Sequence, residues 1–339
     1  MKRFIFIVVI FLITQICYSQ IGSYAGSFSR IGFGARGLSM GNALTGDIFG
    51  DVSGYYNPAL SSFQQEGIVG IGYTFMSLDR KLNFVSFNKR FEFQSLKSGA
   101  AGLTVAWVNA QVTDIDARDN DTKQTGYIST YENQFLLGLS FQVEHNIALG
   151  VGVKLYYSKL YEDIKSTTVG FDIGAVYKAT DNLSIGLAIR DIGSKYRWET
   201  SKIYSSYGNT TEDKFPVLFD LGASYLLPKN YGIVSLGFES IISPKLEDRE
   251  SGKKSNRTTK YHIKIGGEIN ITENIKLRAG LDRIGLNPED FGAELRPSLG
   301  IGIHRNFAEN INLGLDYVFQ LEPYTKDPFQ NISLIFKFK

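Results

Sequence analysis

The residues best suited to catalysis in this sequence are its histidines, and the chain has only three. None of His145, His262 and His304 lies beside a serine or cysteine in a spacing that would form a nucleophilic pair. The acidic stretch DIDARDNDT (114–122) lacks the ligand spacing of a known calcium loop. The sequence therefore predicts that the protein is not an enzyme and has neither a metal site nor a cofactor.

Charged side chains recur singly within segments of alternating pattern. In LSIGLAIR (183–190), one face carries only leucine and isoleucine, and the other carries serine, glycine, alanine and arginine. This pattern is typical of a barrel strand with one face in lipid and the other in a crowded, partly wet lumen. The predicted lumen charges are Asp172, Arg190, Asp220, Glu239, Lys264, Glu268, Arg278, Asp282 and Asp316.

The same alternation continues from residue 67 to the end of the chain. It divides into about fourteen segments, each close to the ~9–11 residues that a tilted strand needs to cross a bilayer. Short and long connectors alternate from the fourth segment onward, as they do in outer-membrane barrels. The sequence predicts an all-β fold, a 14-stranded transmembrane antiparallel β-barrel, with its third and fourth strands at 99–109 and 134–143.

The longest polar connectors, 110–133, 193–216 and 242–259, are predicted external loops. Aromatic side chains on such loops commonly anchor protein partners, and the alternative is that they form the interfacial aromatic girdle of the barrel. The external-loop aromatics are Tyr127, Tyr131, Tyr196, Trp198, Tyr204 and Tyr207.

The extreme N-terminus predicts the compartment. Lys2 and Arg3 precede the apolar run FIFIVVIFLI (4–13), and CYS then precedes Gln20, so residues 1–19 read as a secretory signal peptide. The alternative is a lipoprotein anchored at Cys17. We expect a mature chain from about Gln20 in the outer membrane of a Gram-negative bacterium, in contact with outer-membrane lipid.

The mature chain carries no excess charge. Cleavage removes two of the 36 basic residues and none of the 34 acidic ones, which gives no electrostatic case for nucleic-acid binding. It also removes the single cysteine, so neither a disulfide nor a cysteine metal site can form.

Residues 20–66 precede the barrel, residues 67–339, and are too few to build a core of their own. We expect them to form a plug, or hatch, in the lumen, with a short helical piece at about Leu38–Leu44 and a helical turn that starts at Pro58. The alternative is a disordered periplasmic leader, against which the many apolar and aromatic residues argue. Because a buried cation needs a partner, Arg36 is predicted to pair with an inward carboxylate such as Asp172, Asp220, Asp282 or Asp316.

A block in this segment, FSRIGFGARGLSMGNALTG (28–46) with GYYNPAL (54–60), resembles the opening of the PorV/PorQ family. That family comprises outer-membrane barrels associated with the type IX secretion system. The block also resembles, more distantly, the FadL-like transporters. The matching plug-motif positions are Ala35, Arg36, Gly37, Met40, Gly41, Asn57, Pro58 and Ala59.

The resemblance implies a secretion accessory that binds a cargo protein or a translocon through its external loops. The alternative, implied by the FadL-like superfamily, is a channel that takes up hydrophobic small molecules through a lateral opening at a kink in the third strand. Gly99 and Gly102 would permit that kink, although glycine is equally common where packing is tight. The expected partners are a translocon, a cargo protein or a hydrophobic ligand, with no nucleic acid.

Overall fold

The chain forms a closed barrel of fourteen antiparallel strands, which confirms the predicted wall. The structure, a computed structural model, describes residues 24–51, 53–93, 99–161, 163–204, 207–244, 258–287, 291–323, 325 and 327–339. The predicted signal peptide, 1–19, lies outside these residues. Neighbouring wall strands pair in chain order, and β1 closes against β16, so the described wall has no free edge.

The wall strands are β1 (Gly67–Phe75), β2 (Arg80–Glu92), β3 (Ala100–Arg118), β4 (Gln124–Glu144), β5 (Ile147–Lys159), β6 (Lys165–Lys178), β7 (Leu183–Ile192), β10 (Val217–Leu226), β11 (Gly232–Ile242), β12 (Thr259–Asn270), β13 (Ile275–Gly285), β14 (Arg296–Ala308), β15 (Ile311–Leu321) and β16 (Pro328–Phe338). A separate two-stranded hairpin, β8 (Lys195–Glu199) and β9 (Thr210–Lys214), lies between β7 and β10. The helices in the described part of the chain are short: α1 spans Gly34–Ser39 and α2 spans Ser201–Tyr204. The 3₁₀ helices described there span Ser27–Arg30, Pro58–Phe63 and Pro228–Asn230.

The outer surface of the wall is apolar around its circumference. In β5, Val151 and Leu149 are about half exposed, whereas the alternate residues Ala148 and Tyr156 are fully buried. Exposed aliphatic side chains recur at every second position on other wall strands as well. Such an apolar band outside and polar groups inside are the arrangement of a transmembrane barrel.

The two ends of the barrel differ. One end, here called the short-turn end, carries the tight connections that include 145–146, 179–182 and 271–274. The opposite long-loop end carries 193–216, 243–258 and 286–295. This difference reproduces the predicted alternation of connectors and gives the barrel a direction.

Two features of the long-loop end differ from the prediction. Strands β3 and β4 run to Arg118 and from Gln124, so the predicted loop 110–133 is mostly a strand hairpin. The strands stay paired there, but the hairpin tip stands in water and needs no lipid-facing pattern. Its sequence therefore does not alternate as the wall strands do. The predicted loop 193–216 likewise contains the paired strands β8 and β9.

No helix in the described part of the chain is both long and apolar enough to cross a bilayer.

Candidate functional site

The N-terminal segment, defined as the described residues of 24–66, runs from one end of the barrel to the other on its inner side. At the long-loop end, the Tyr24 hydroxyl accepts a hydrogen bond from Ser243 at 2.6 Å. At the short-turn end, the segment leads directly into β1. Between these points it contacts inward-facing residues of strands around the barrel, and most of its side chains are buried.

The local structure of the segment differs in part from the prediction. Helix α1 spans Gly34–Ser39 rather than Leu38–Leu44, because Gly41 and Asn42 take positive φ angles of 57° and 55° and end it. The predicted helical turn at Pro58 is confirmed as the 3₁₀ helix Pro58–Phe63. The Asn57 side-chain oxygen caps it by accepting a hydrogen bond from the Ala59 amide at 3.0 Å.

All eight plug-motif residues are buried. The Ala35 amide donates to Ser333 of β16 at 2.9 Å, and Gly37 lies against the Tyr56 hydroxyl, which a Cβ would meet at 2.0 Å. The Asn57 side-chain amide lies within hydrogen-bonding distance of three carbonyls, those of Thr45, Ala175 and Leu187, at 2.9–3.2 Å. The motif therefore joins two parts of the segment to each other and to β6, β7 and β16.

Inward-facing glycines of several strands lie directly against the segment, most of them against its backbone. A Cβ added at Gly150 would lie 2.3 Å from the Ala59 nitrogen, and one at Gly280 would lie 2.2 Å from the Gly41 nitrogen. We call this set the glycine ring; its members are Gly102, Gly150, Gly174, Gly186, Gly266 and Gly280. These strands have no inward side chain at this level because the segment occupies the space.

Substitution in the glycine ring is expected to displace the segment. Gly150→Val should destabilise the folded protein by about 1–3 kcal/mol, because its side chain would overlap backbone atoms that cannot rotate away. Gly267→Val is the matched control, since no atom lies within 4 Å of a Cβ at Gly267; it should stay within about 0.5 kcal/mol of wild type. The measurements are urea unfolding in detergent and proteolysis of the N-terminal segment. Equal effects from both variants would contradict this packing.

Arg36 pairs with carboxylates other than the four predicted for it. Its Nη2 lies 2.6 Å from Asp47, and its Nε lies 3.1 Å from Glu268. Glu268 is one of the predicted lumen charges, so the partner is an inward carboxylate as predicted, but it is none of the four residues given as examples. The segment folds back to supply Asp47, which a reading of the strands alone does not anticipate. The four predicted carboxylates have other partners: Lys154, Lys264, Asn42 and Arg278, respectively.

All nine predicted lumen charges are buried, and each is at most 5% exposed. They gather into clusters with residues that the prediction omitted. In one cluster, Lys154 Nζ lies 2.8 Å from both Asp172 and Asp191, and the Tyr156 hydroxyl donates to Asp191 at 2.5 Å. Lys154 could have been found, because it falls on the inward face of the alternating β5 pattern. Asp191 could not, because it turns inward at an irregularity in the β6–β7 pairing, with φ of 62°.

Two further clusters connect neighbouring strands. Lys264 lies 3.1 Å from Asp220 and 2.6 Å from Glu239, and Arg190 lies 2.8 Å from Asp220. In the adjoining cluster, Arg278 lies 2.7 Å from Glu268 and 2.9 Å from Asp316. His304 Nε2 also lies 2.9 Å from Asp316. Each cluster pairs cations with anions, as buried charges require.

Glu294, in the loop between β13 and β14, links that loop to the N-terminal segment. Its carboxylate accepts hydrogen bonds from Lys260 at 2.5 Å and Arg283 at 3.2 Å, and Arg283 also donates to the Arg30 carbonyl at 3.1 Å. Burial opposes ionisation of Glu294, but Arg283 and Lys260 lower the pKa of its carboxyl to about 2. The loop is therefore held by charge at neutral pH.

The predicted kink in the third strand is absent at Gly102. Strand β3 pairs without a register shift from Ala101 to Val112 on both sides, and Gly102 belongs to the glycine ring, against Ser61 and Ser62. Gly99 precedes the strand, with φ of 62°. The first irregularity of β3 lies beyond Val112, near the long-loop end.

The six external-loop aromatics fall into two groups. Tyr127 and Tyr207 are 67% and 92% exposed, and Tyr131 is half-buried beside Tyr157. The prediction is wrong for Tyr196 and Trp198, which are buried at 2% and 9% exposure because the β8–β9 hairpin folds inward. The Tyr204 side chain lies outside the described residues.

Two small cavities lie where the segment meets the wall. One of about 10 Å³ lies beside Arg30 and Lys264, and one of about 50 Å³ lies beside Phe33 and Phe84. The first is close to the volume of a single water. Within the same described part, no group of three or more histidine, cysteine or acidic residues is placed to hold a metal.

Comparisons with known proteins agree with this architecture. A family of unknown function (DUF5723) matches residues 160–326. No curated protein sequence matches the chain. The toluene transporter TodX of Pseudomonas putida superposes with a TM-score of 0.59 at 12% identity, covering 90% of this chain and 97% of that one.

Two other solved structures give similar superpositions. The CymD monoaromatic hydrocarbon channel has a TM-score of 0.57 at 14% identity, covering 91% of this chain and 97% of that one. A FadL homologue of Pseudomonas aeruginosa has a TM-score of 0.53 at 13% identity, covering 91% and 98%. The chain therefore has the fold of the FadL-like barrels over nearly its whole described length.

Proposed function

We propose that the protein is an outer-membrane channel through which hydrophobic small molecules enter the cell. The observation that carries this proposal is a FadL-like barrel whose interior is filled by its own N-terminal segment. Proteins of the same fold are described as hydrocarbon channels, and their likeness extends over some nine-tenths of this chain. An apolar outer wall with long loops at one end supports an outer-membrane location with those loops outside.

In the proposed channel, the N-terminal segment acts as the plug. The cavities of about 10 and 50 Å³ beside the segment are too small for a hydrocarbon. Passage at these two places would therefore require the segment to move. Since β3 has no kink at Gly102, a lateral opening at that point would also require the strand pairing to change.

The test is accumulation of radiolabelled toluene and oleate by cells that express the protein in their outer membrane. Expression should raise the initial rate for at least one of these hydrophobic probes several-fold, and leave the rate for a small hydrophilic sugar unchanged. Cells carrying an empty vector provide the baseline, and a heat-modifiable band on gels establishes that the barrel is folded. Unchanged rates for both hydrophobic probes would refute the channel proposal.

The second candidate is the secretion accessory implied by the N-terminal block. The β3–β4 hairpin favours it, because residues 113–130 extend beyond the paired ends of β2 and β5. At about 3.3 Å per residue, this ribbon projects roughly 20 Å from the wall, and it carries the exposed Tyr127. The solved structures above are transport channels, so the channel is our first choice.

A photo-crosslinking residue in place of Tyr127 tests the secretion role. A crosslink to a secretion translocon or to its cargo would support that role. The same residue is placed at Tyr207 in a second variant. If both variants crosslink only to lipid in cells that secrete cargo normally, the accessory role fails.

A further inference from the structure

Five aromatic rings from three separate parts of the chain pack together at the long-loop end of the barrel. Phe28 comes from the N-terminal segment, Tyr156 from β5, and Tyr196, Trp198 and Phe215 from the β8–β9 hairpin and the residue that follows it. Their ring centroids form a chain from Phe28 to Tyr156 (6.3 Å), to Phe215 (4.8 Å), to Tyr196 (4.9 Å) and to Trp198 (5.1 Å). All five are at most 9% exposed. We call them the aromatic cluster.

Polar contacts also attach the hairpin to the wall. The Arg197 amide donates to the Ser166 hydroxyl at 2.8 Å, and the Tyr196 hydroxyl donates to Glu132 at 2.9 Å. One leg of the hairpin leaves β7 through Gly193, whose φ is 78° and whose Cβ position lies in open space. The apolar side of the hairpin therefore rests on the long-loop end of the barrel through its rings, next to a glycine that can absorb a change of backbone angle.

A polar side chain below the cluster has no partner. Gln134 of β4 is fully buried, and neither its amide nitrogen nor its oxygen has a hydrogen-bond partner among the described residues. It stands directly opposite Tyr156 in the β4–β5 pairing, at the distance of adjacent side chains on one sheet face. A buried amide that lacks both of its bonds costs free energy unless something else completes them.

The nature of the missing group follows from the surroundings. A hydroxyl both donates and accepts, so it can use either atom of a carboxamide. Glu132 lies two residues before Gln134 on the same inward face, and its carboxylate disfavours a second anion there. The neighbouring rings suit an aromatic partner. These three properties describe an uncharged phenol.

We propose that the aromatic cluster and Gln134 form a binding site for phenol-type aromatic molecules, and that the β8–β9 hairpin is the lid of this site. The ring of the ligand takes the place of Phe215 or Trp198 among the aromatic side chains, and its hydroxyl bonds to the Gln134 amide. This inference rests on the proposed channel function in one respect: the molecule that binds is taken to be one that the channel transports.

The two tryptophans of the chain permit a direct test of binding. In purified Trp107→Phe protein, Trp198 is the only fluorophore of its kind, and 4-bromophenol should quench it at about five-fold lower concentration than bromobenzene does. Gln134→Leu should remove this difference. Gln320→Leu should preserve it, because Gln320 is an equally buried and unpartnered glutamine beside Phe329, on another part of the wall. Trp198→Phe protein, which retains Trp107 on the outer face, should show no preference for the phenol.

A disulfide tests the lid. The Ser166→Cys and Arg197→Cys pair joins two residues of which one contacts the backbone of the other, and the predicted mature chain has no other cysteine. Oxidation should abolish both the quenching of Trp198 by 4-bromophenol and the uptake of phenols, and dithiothreitol should restore both.

The outcomes separate this site from the channel function. Quenching with the stated dependence on Gln134, in a protein that transports nothing, would support the site and refute the channel. Uptake of toluene or oleate by a protein whose Trp198 shows no preference for 4-bromophenol would support the channel and refute the site. If the oxidised double-cysteine protein takes up phenols as fast as the same protein in its reduced form, the hairpin is not a lid.

Discussion

Deletion of residues 24–51 is expected to turn a poorly conducting barrel into an open one. The segment contributes buried groups such as Phe33, Leu38 and Met40 to the interior, and without them water and ions would occupy that space. The deletion removes two basic residues, Arg30 and Arg36, together with two acidic residues, Asp47 and Asp51, so the net charge is unchanged. The expected result is a large rise in single-channel conductance in planar bilayers. This prediction tests the proposal that the segment is a plug.

The control for this deletion is a change at the exposed tip of the β3–β4 hairpin. Replacing residues 119–123 with a two-residue turn alters the long-loop end without touching the interior, and should leave conductance as in the full chain. Heat-modifiability on gels must show that both proteins are folded. A folded deletion variant with unchanged conductance would mean that the segment does not close the pore.

Substitution of Lys154 by methionine is expected to cause the largest loss of stability from any single lumen residue discussed above. Lys154 is 1% exposed and is the shared counter-ion of Asp172 and Asp191. Without it, two neighbouring buried carboxylates have lost their cation, and breaking a buried pair in this way costs about 3–5 kcal/mol. Urea unfolding in detergent, followed by the gel shift of the folded barrel, measures the change.

Two companion variants define the cause. Lys154→Met combined with Asp172→Asn removes one of the two negative charges and should recover a substantial part of the loss. Lys178→Met breaks an ion pair with Asp181, whose side chain is 93% exposed, and should change stability by less than about 1 kcal/mol. A Lys154 variant as stable as the Lys178 variant would show that the cluster contributes little.

The wall of this protein is predictable from sequence because lipid imposes a simple rule on it. Every strand needs apolar residues on one face, so strands such as β5 and β7 appear as plain alternation. The hairpin tip of β3 and β4 stands outside the bilayer, where that rule does not apply, so its sequence resembles that of a loop. The burial of Tyr196 and Trp198 is not predictable either, because a loop that folds back inward carries no periodic signal.

The interior is harder to predict because its contacts join residues far apart in the chain. The inward position of Lys154 follows from the alternation of side chains along β5. Its pairing with Asp191 does not, because an irregularity in the β6–β7 pairing changes the side of the sheet to which Asp191 points. Gly102 illustrates a different difficulty. Its sequence context permits either a strand kink or a close contact with another part of the chain. The structure shows a close contact, because Ser61 and Ser62 lie against Gly102.

The path of the N-terminal segment has a consequence for the order of assembly. The segment leads into β1, and β1 closes the wall by pairing with β16. Tyr55 and Leu60 of the segment are at most 1% exposed, and wall glycines such as Gly102 and Gly150 lie against its backbone. We expect the segment to enter while the seam between β1 and β16 is still open, so that the wall closes around it.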